Sequence, residues 1–471
     1  MENIELAYLS GTEQLHLFAA RSISPVEVLQ AQISRAEVLE PKINAFSQTF
    51  YDSALKDALA AEQRYREGRQ RRLEGLTLGV KETMAVRGTI TTHGSLIHRD
   101  DPPAKVSHPW VERLQRAGAI VHARTTSPEF ACAWVTTSRL NGVTRNPWDL
   151  SLTCGASSGG SAASLAAGTS TLATGTDIGG SIRYPAVQCG VVGYMPPHGR
   201  NPDVAPNNLD LYEHVGPLAR TVSDCALMQN VGSGPHREDS ATLRQRVQIP
   251  HAHSGIEGWR IGWTTDCGNK VVDPEVAAGF QVALRQLEAA GATVEQVDLG
   301  WGQEVTEAAC AHLDHLSGQS LVHAWEKHPE LVCEYTAWYA KRAANSSRDR
   351  FVWAQDVVSN MYRTLGPLLT RFHGFVCPAF VTQKIRADAM PWETIQVAGQ
   401  TFDCDYQPSL LHPFNMIGRL PVIALPCGLG ENSLPIGVQI ITRTYDDTRA
   451  FRIATAMEKQ RPWFDIAARR P

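Results

Sequence analysis

Two serines, Ser157 and Ser181, stand 24 residues apart inside a pair of glycine clusters, Gly155-Ala-Ser-Ser-Gly-Gly-Ser161 and Gly175-Thr-Asp-Ile-Gly-Gly-Ser-Ile-Arg183. Glycine costs backbone entropy, so dense runs of it outside a linker mark places where backbone turns sharply or approaches another group closely. Each run sets a hydroxyl at such a turn. In the second cluster the backbone N–H groups of Ile178, Gly179 and Gly180 directly precede Ser181. They are positioned to surround the oxyanion formed when Ser181 attacks a carbonyl, where losing one donor typically costs ~3 kcal/mol of transition-state stabilisation.

A serine hydroxyl is a poor nucleophile until a base takes its proton. Gly155-x-Ser157-x-Gly159 matches a nucleophile elbow, a strand-to-helix turn that exposes a serine and needs a downstream acid and histidine. His412, before Pro413, is the best placed histidine, but no histidine stands in a compelling context. Taken alone, the motif reads equally well as a glycine-rich turn into a helix beginning near Ser161. The other candidate base is a lysine held neutral by burial. Lys81 follows the apolar stretch Leu78-Gly-Val80, where desolvation would pull its pKa from ~10.4 toward ~7 to 8.

Metal and cofactor chemistry have little support. His312-x-x-His315 is the only suggestive pair, without a carboxylate partner at helical spacing, and no phosphate-cradling Gly-rich lysine motif is present. No cofactor and no metal are expected. A net charge of -4 over 471 residues argues against nucleic acid or an anionic membrane surface as partner. The ten cysteines are scattered through apolar segments with no Cys-x-x-Cys, as expected of reduced, buried thiols. The acidic Met-Glu-Asn-Ile-Glu-Leu start lacks the features of a secretory signal, and no run of 18 apolar residues occurs, so a cytoplasmic protein is expected.

The elements that must hold these residues alternate between helix and strand. Ser24-Pro25-Val26-Glu27 predicts a helix start with a capping box, and Val26, Leu29, Ile33 and Ala36 mark its apolar face until Pro41. The charged stretch from Glu62 to Arg72 reads as a solvated helix and loop. It leads into a short strand from Leu76 to Val80 that ends at Lys81. Leu114-Gln-Arg-Ala-Gly118-Ala-Ile-Val121 and Leu287-Glu-Ala-Ala-Gly291-Ala-Thr-Val294 share one grammar of amphipathic helix, glycine cap and β-branched strand. That grammar predicts an α/β fold, with a largely parallel or mixed sheet covered by helices. Residues 300–410 carry Trp325, Trp338, Trp353, Tyr335, Tyr339 and Tyr362 on apparently helical stretches, read as a helical layer or as an aromatic cover over a substrate pocket. Pro421-Val-Ile-Ala-Leu-Pro426 and Gly437-Val-Gln-Ile-Ile441 predict two core strands before a final helix near Thr448 to Lys459.

Lys81, Ser157 and the Gly-Gly-Ser181-Ile-Arg183 cluster together resemble the amidase signature family, whose catalytic set is a Ser-cisSer-Lys triad. The resemblance continues through Asn141-Gly-Val-Thr-Arg-Asn-Pro147-Trp148, Tyr184-Pro185-Ala186, Gly190-Val-Val-Gly193, Pro421 to Pro426 and Pro435-Ile-Gly437-Val-Gln439. It covers roughly residues 20–460 and is strongest between 75 and 200. It implies a single α/β/α domain over 1–471, with an N-terminal helical segment (1–70), a signature core (75–200), a variable pocket cover (300–410) and a central twisted, mixed, mostly parallel sheet. It also implies that Ser181 is the acyl-accepting nucleophile, that Ser157 follows a cis peptide bond and relays the proton, and that Lys81 is the ultimate base. Thr176, Asp177 and Arg183 then support the loop, and Ala131 in Thr125-Thr-Ser-Pro-Glu129-Phe130-Ala131 lies where an acyl-pocket wall is expected.

Three departures accompany the match. Ala156 stands where glycine usually precedes the relay serine, Glu82 where aspartate is commoner, and Met195 and Pro197 replace a lysine and a hydroxyl residue. The last change leaves the contacts of the loop from Pro196 to Asn207 open. The reaction expected is hydrolysis of a small-molecule amide through a seryl acyl-enzyme, by a chain that acts alone or as a homodimer. Two readings stand beside it: a glutamine-hydrolysing amidotransferase subunit that works with partners, and a hydrolase of esters, carbamates or hydrazides.

Overall fold

The computed structural model describes residues 3–268, 270–430, 432–462 and 470–471. Eleven strands form one sheet: β1 (Phe46–Thr49), β2 (Thr77–Lys81), β3 (Ile120–Thr125), β4 (Leu172–Thr176), β5 (Val192–Met195), β6 (Val215–Ala219), β7 (Arg260–Trp263), β8 (Thr293–Gln296), β9 (Gly374–Pro378), β10 (Val422–Leu429) and β11 (Pro435–Ile441). Their spatial order is β1-β3-β2-β4-β6-β5-β10-β11-β9-β7-β8. Helices cover the sheet, so the expected α/β class and mixed sheet are present.

The expectation of a mostly parallel sheet is corrected. Parallel pairing joins β2 to β3, β2 to β4, β7 to β8 and β7 to β9. The other six neighbouring pairs are antiparallel. The helix–glycine–strand grammar does build parallel neighbours, because a crossover helix returns the chain in the same direction. The helix Pro109–Arg116 feeds β3 and the helix Pro274–Ala289 feeds β8, through Gly118 and Gly291 at φ +104° and +89°. Elsewhere short connections intervene. The few residues between β10 and β11 make a hairpin, which forces antiparallel pairing.

The helix predicted from Ser24 has its capping box and runs Pro25–Ile43, two residues beyond the expected stop at Pro41. Pro41 gives up its own backbone hydrogen bond, but the turn is carried past it, and left-handed Asn44 ends the helix instead. Leu29 packs on Ala54, Ala58 and Ile120, with Val26 and Ile33 at the margin of the same cluster. The strand at Lys81 is buried over its whole length. Fully buried strands of this kind hold a side chain at a fixed height, so β2 and β4 present Lys81 and Thr176 at the same end of two adjacent strands.

Residues 300–410 contain four helices, Glu304–His315, Ser317–Lys327, Glu334–Ala343 and Arg348–Arg371, and then depart from the helical reading. Strand β9 inserts between β11 and β7, and Ile395–Val397 pairs with Gln400–Phe402 in a hairpin. This stretch is therefore part of the central sheet as well as a cover. The final helix spans Asp447–Gln460.

Candidate active site

Lys81 is wholly buried, and its Nζ lies 2.7 Å from Ser157 Oγ and 2.9 Å from Thr176 Oγ1. Its backbone N–H donates to Thr174 Oγ1. Burial lowers the lysine pKa from 10.5 to about 8, against the opposing pull of the Glu213, Asp177 and Glu82 carboxylates. A lysine in this state gives up its proton near neutrality and can act as a base.

Ser157 follows a cis peptide bond from Ala156. It is 1% exposed, whereas Ser181 is partly exposed and borders the same cavity. Ser158 N–H donates to the Ser181 carbonyl at 3.1 Å, which ties the two serine loops together. The residues singled out in the two clusters and on β2 thus converge, although 76 positions separate Lys81 from Ser157.

The loop from Asp177 to Arg183 is braced from inside. Asp177 and Arg183 are both fully buried and form an ion pair, with Arg183 Nε on Asp177 Oδ2 at 3.1 Å and Nη2 on Oδ1 at 3.1 Å. Burial alone would raise the Asp177 pKa, but the Arg183 charge and hydrogen bonds, with help from Asn415, hold it well below the usual carboxylate range. The same carboxylate accepts from the amides of Gly180 (2.7 Å), Ile182 (3.0 Å) and Arg183 (3.2 Å). Gly180 has φ +121°, and a Cβ there would come within 2.5 Å of Leu411. Here the structure departs from the expected row of three oxyanion donors. The Gly180 N–H is committed to Asp177, while the amides of Ile178, Gly179 and Ser181 donate to no acceptor among the described residues.

Both serines open on a cavity of about 1030 Å³ that Ile178, Gly179 and Ala131 also line. Phe130 and Ala131 are left-handed, at φ 51° and 56°, a conformation that costs non-glycine residues of order 1 kcal/mol or more each. Buried Glu129 holds this turn in place. Its carboxylate accepts from Ser95 Oγ (2.8 Å), Cys333 N (2.6 Å) and Thr336 Oγ1 (2.5 Å), and its own N–H donates to Tyr335 Oη (2.7 Å). Of the aromatic residues expected to wall the pocket from 300–410, Tyr339 lines the cavity; Trp325, Trp338, Trp353, Tyr335 and Tyr362 do not. Tyr335 turns into the core to bond Glu129 and Thr137, and Trp338 packs on Tyr339 and Trp392. Phe130, Trp134 and Tyr406 take up the aromatic lining instead.

The loop from Pro196 to Asn207 borders the cavity through its residues from Asp203 onward. Sequence reasoning missed Glu213, a cavity-facing carboxyl whose ionised form would be the foremost influence holding up the Lys81 pKa. Its own pKa is raised by burial and then by Asp203. Nothing in the local pattern around Glu213 signals this, because the approach is made by the loop before β6. His312 pairs with Asp210 at 2.8 Å and stacks on Tyr212 with ring centroids 3.5 Å apart, a structural use of the pair weighed for metal binding.

The family model described as Amidase matches residues 27–451. The chain belongs to the amidase family. It is 30% identical to an acylamidase of Rhodococcus erythropolis over 99% of this chain and 98% of that protein. It is 29% identical to the glutamyl-tRNA(Gln) amidotransferase A-type component of Geotalea daltonii over 98% of this chain and 99% of that one. Among solved structures, a bacterial aryl acylamidase of the amidase signature enzymes superposes with a TM-score of 0.89 at 28% identity, covering 97% of each chain. This chain is an amidase, a hydrolase of carbon–nitrogen bonds other than peptide bonds. Among the described residues no helix is long and apolar enough to cross a membrane.

Proposed function

We propose that this amidase cleaves small-molecule amides through an acyl-enzyme on Ser181, with Ser157 as proton relay and Lys81 as base. The observation that carries the assignment is the contrast between the two serines: both border the cavity, but Ser181 is partly exposed there, whereas Ser157 is 1% exposed and sits against the Lys81 amine at 2.7 Å. Neutral Lys81 accepts the Ser157 proton as Ser157 takes that of Ser181, and Ser181 Oγ bonds to the carbonyl carbon. The oxyanion is met by the free amides of Ile178 and Gly179, with that of Ser181 beside them. The proton returns through Ser157 to the leaving nitrogen as the C–N bond breaks, and water then repeats the sequence to release the carboxylic acid.

A cavity of about 1030 Å³ exceeds what a short acyl chain fills and suits a bulky or aromatic group against Phe130, Trp134 and Tyr339. The acylamidase and aryl acylamidase relatives support the same substrate class. All ten cysteines are unpaired, which supports a cytoplasmic location.

Intact mass after exposure to a fluorophosphonate tests the assignment, run on wild type, Ser181→Ala and Ser157→Ala alongside amine release from a panel of primary and aryl amides, esters and hydrazides. One adduct, lost in Ser181→Ala, is expected. An adduct retained in Ser181→Ala and lost only in Ser157→Ala would move the nucleophile to the elbow. The amidotransferase relative favours a second reading, in which glutamine hydrolysis depends on partner proteins; turnover of the amide panel by the isolated chain excludes it.

A further inference from the structure

His412 lies apart from the triad, yet it touches the loop that carries it. Its imidazole stands against Gly179, where a Cβ would come within 3.0 Å of Cδ2 and 3.1 Å of Nε2. The Trp134 ring meets it edge-on at 5.5 Å. His412 therefore forms the cavity wall beside the Gly179 amide, with its Cδ2–Nε2 edge toward the oxyanion loop. Nδ1 sits on the opposite edge of the ring. It is buried and has no hydrogen-bond partner among the described residues.

His412 also borders a second, small cavity of about 10 Å³, lined by Trp301, Lys270, Thr306 and Ser409 among others. Its volume is that of about one water molecule. Trp301 Nε1, like His412 Nδ1, is buried and has no hydrogen-bond partner among the described residues. Lys270 Nζ donates to Thr306 Oγ1 at 2.8 Å and has further protons to give. His412, Trp301 and Lys270 are only 4%, 5% and 8% exposed, so none of them can satisfy these groups from bulk solvent. Trp301, Lys270 and His412 all border this water-sized space, and buried polar groups left without a partner beside such a space are the kind that retain a water.

We propose that this cavity binds one water, which accepts from Trp301 Nε1–H and Lys270 Nζ–H and donates to His412 Nδ1, fixing His412 as an Nε2–H donor at the acyl side of the substrate. Burial, followed by the nearby positive charge of Lys270, lowers the His412 pKa to about 3, so the ring is neutral and holds a single proton. With Nδ1 occupied as acceptor, that proton resides on Nε2. His412 is then a positioning residue that favours acyl groups with a hydrogen-bond acceptor, such as an ether or carbonyl oxygen, next to the scissile carbonyl. This specificity rests on the reaction proposed above, whereas the water and the tautomer do not.

The test is nitrogen-15 NMR of the intact protein labelled at histidine, with a crystal structure of the same protein. A neutral His412 protonated at Nε2, and a water within hydrogen-bond distance of Nδ1, Trp301 Nε1 and Lys270 Nζ, are expected. Trp301→Phe and Lys270→Met should each shift His412 toward a mixture of tautomers. A ring protonated at Nδ1, or a dry cavity in wild type, overturns the proposal, and neither readout requires turnover or depends on which serine is labelled. For the substrate side, His412→Phe should lower the ratio of kcat/KM for alkoxyacyl over alkylacyl amides about tenfold, the worth of one hydrogen bond, with partial recovery in His412→Gln. An unchanged ratio removes the specificity role.

Discussion

In the proposed mechanism the protonation state of Lys81 governs the rate of acylation, so pH is its most direct perturbation. Moving a lysine from 10.5 to about 8 by burial makes its ammonium form ~3 kcal/mol less favourable than in water. The neutral fraction is then about one-tenth at pH 7 and about one-hundredth at pH 6. Single-turnover acylation with an aryl amide, followed from pH 5.5 to 9.5, should rise tenfold per pH step and level off above about pH 8. His93, His214 and His412 cannot imitate this limb. Burial, chiefly, lowers their pKa values to about 4, 3 and 3. A midpoint near 6.5, or a rate still climbing above pH 10, would refute the assignment of Lys81 as base.

The same shift has a thermodynamic signature with a definite sign. Between about pH 8 and 10.5 the unfolded chain keeps the Lys81 proton and the folded one has lost it, so stability rises with pH across that window. The rise is up to ~3 kcal/mol, because the cost of burying the ammonium is fully present below pH 8 and gone above 10.5. Lys81→Met should abolish acylation and flatten this part of the stability curve, measured as the difference in unfolding free energy between pH 8 and 10. A wild type and variant with parallel curves would mean that Lys81 is not desolvated as described.

Asp177→Asn leaves the Arg183 guanidinium buried without its counter-charge, which should cost ~3 to 5 kcal/mol in denaturant unfolding and remove most activity; a loss under 1 kcal/mol would contradict the bracing role. Ala131→Leu narrows the cavity where its wall is formed, so KM should rise at least about tenfold for aryl or branched acyl groups and little for acetyl amides, read by initial rates. Glu129→Gln converts an acceptor for two hydroxyls and one amide into a poorer one, costing ~1 to 3 kcal/mol. Hydrogen exchange should then accelerate at residues 129–137 and 333–337 together, and acceleration in only one of the two segments would argue against their coupling.

What is legible in the sequence is whatever local chemistry dictates. The capping box at Ser24, the glycine caps at 118 and 291 and the strand ending at Lys81 each follow from a few adjacent residues, and each is present. The glycine clusters announced two tight turns, and chemical need, a base for a serine with no credible histidine, pointed to Lys81. The resemblance joined the three; spacing alone did not. What stayed hidden was each contact made by a group whose local context is ordinary. Glu129 looks like a loop acid until its carboxylate reaches residues 333–336, some 204 positions on. Strand β9 lay unseen because a five-residue apolar run carries too little periodicity to be told from a turn of helix. Gly180 is the sharpest case: the glycine was read as an oxyanion donor because its N–H precedes Ser181. That N–H in fact anchors the loop to Asp177, in a backbone conformation at φ +121° that favours glycine. One glycine run therefore divides between an amide that holds the turn and amides left without an acceptor among the described residues, a division that only the acceptor, not the donor sequence, can reveal.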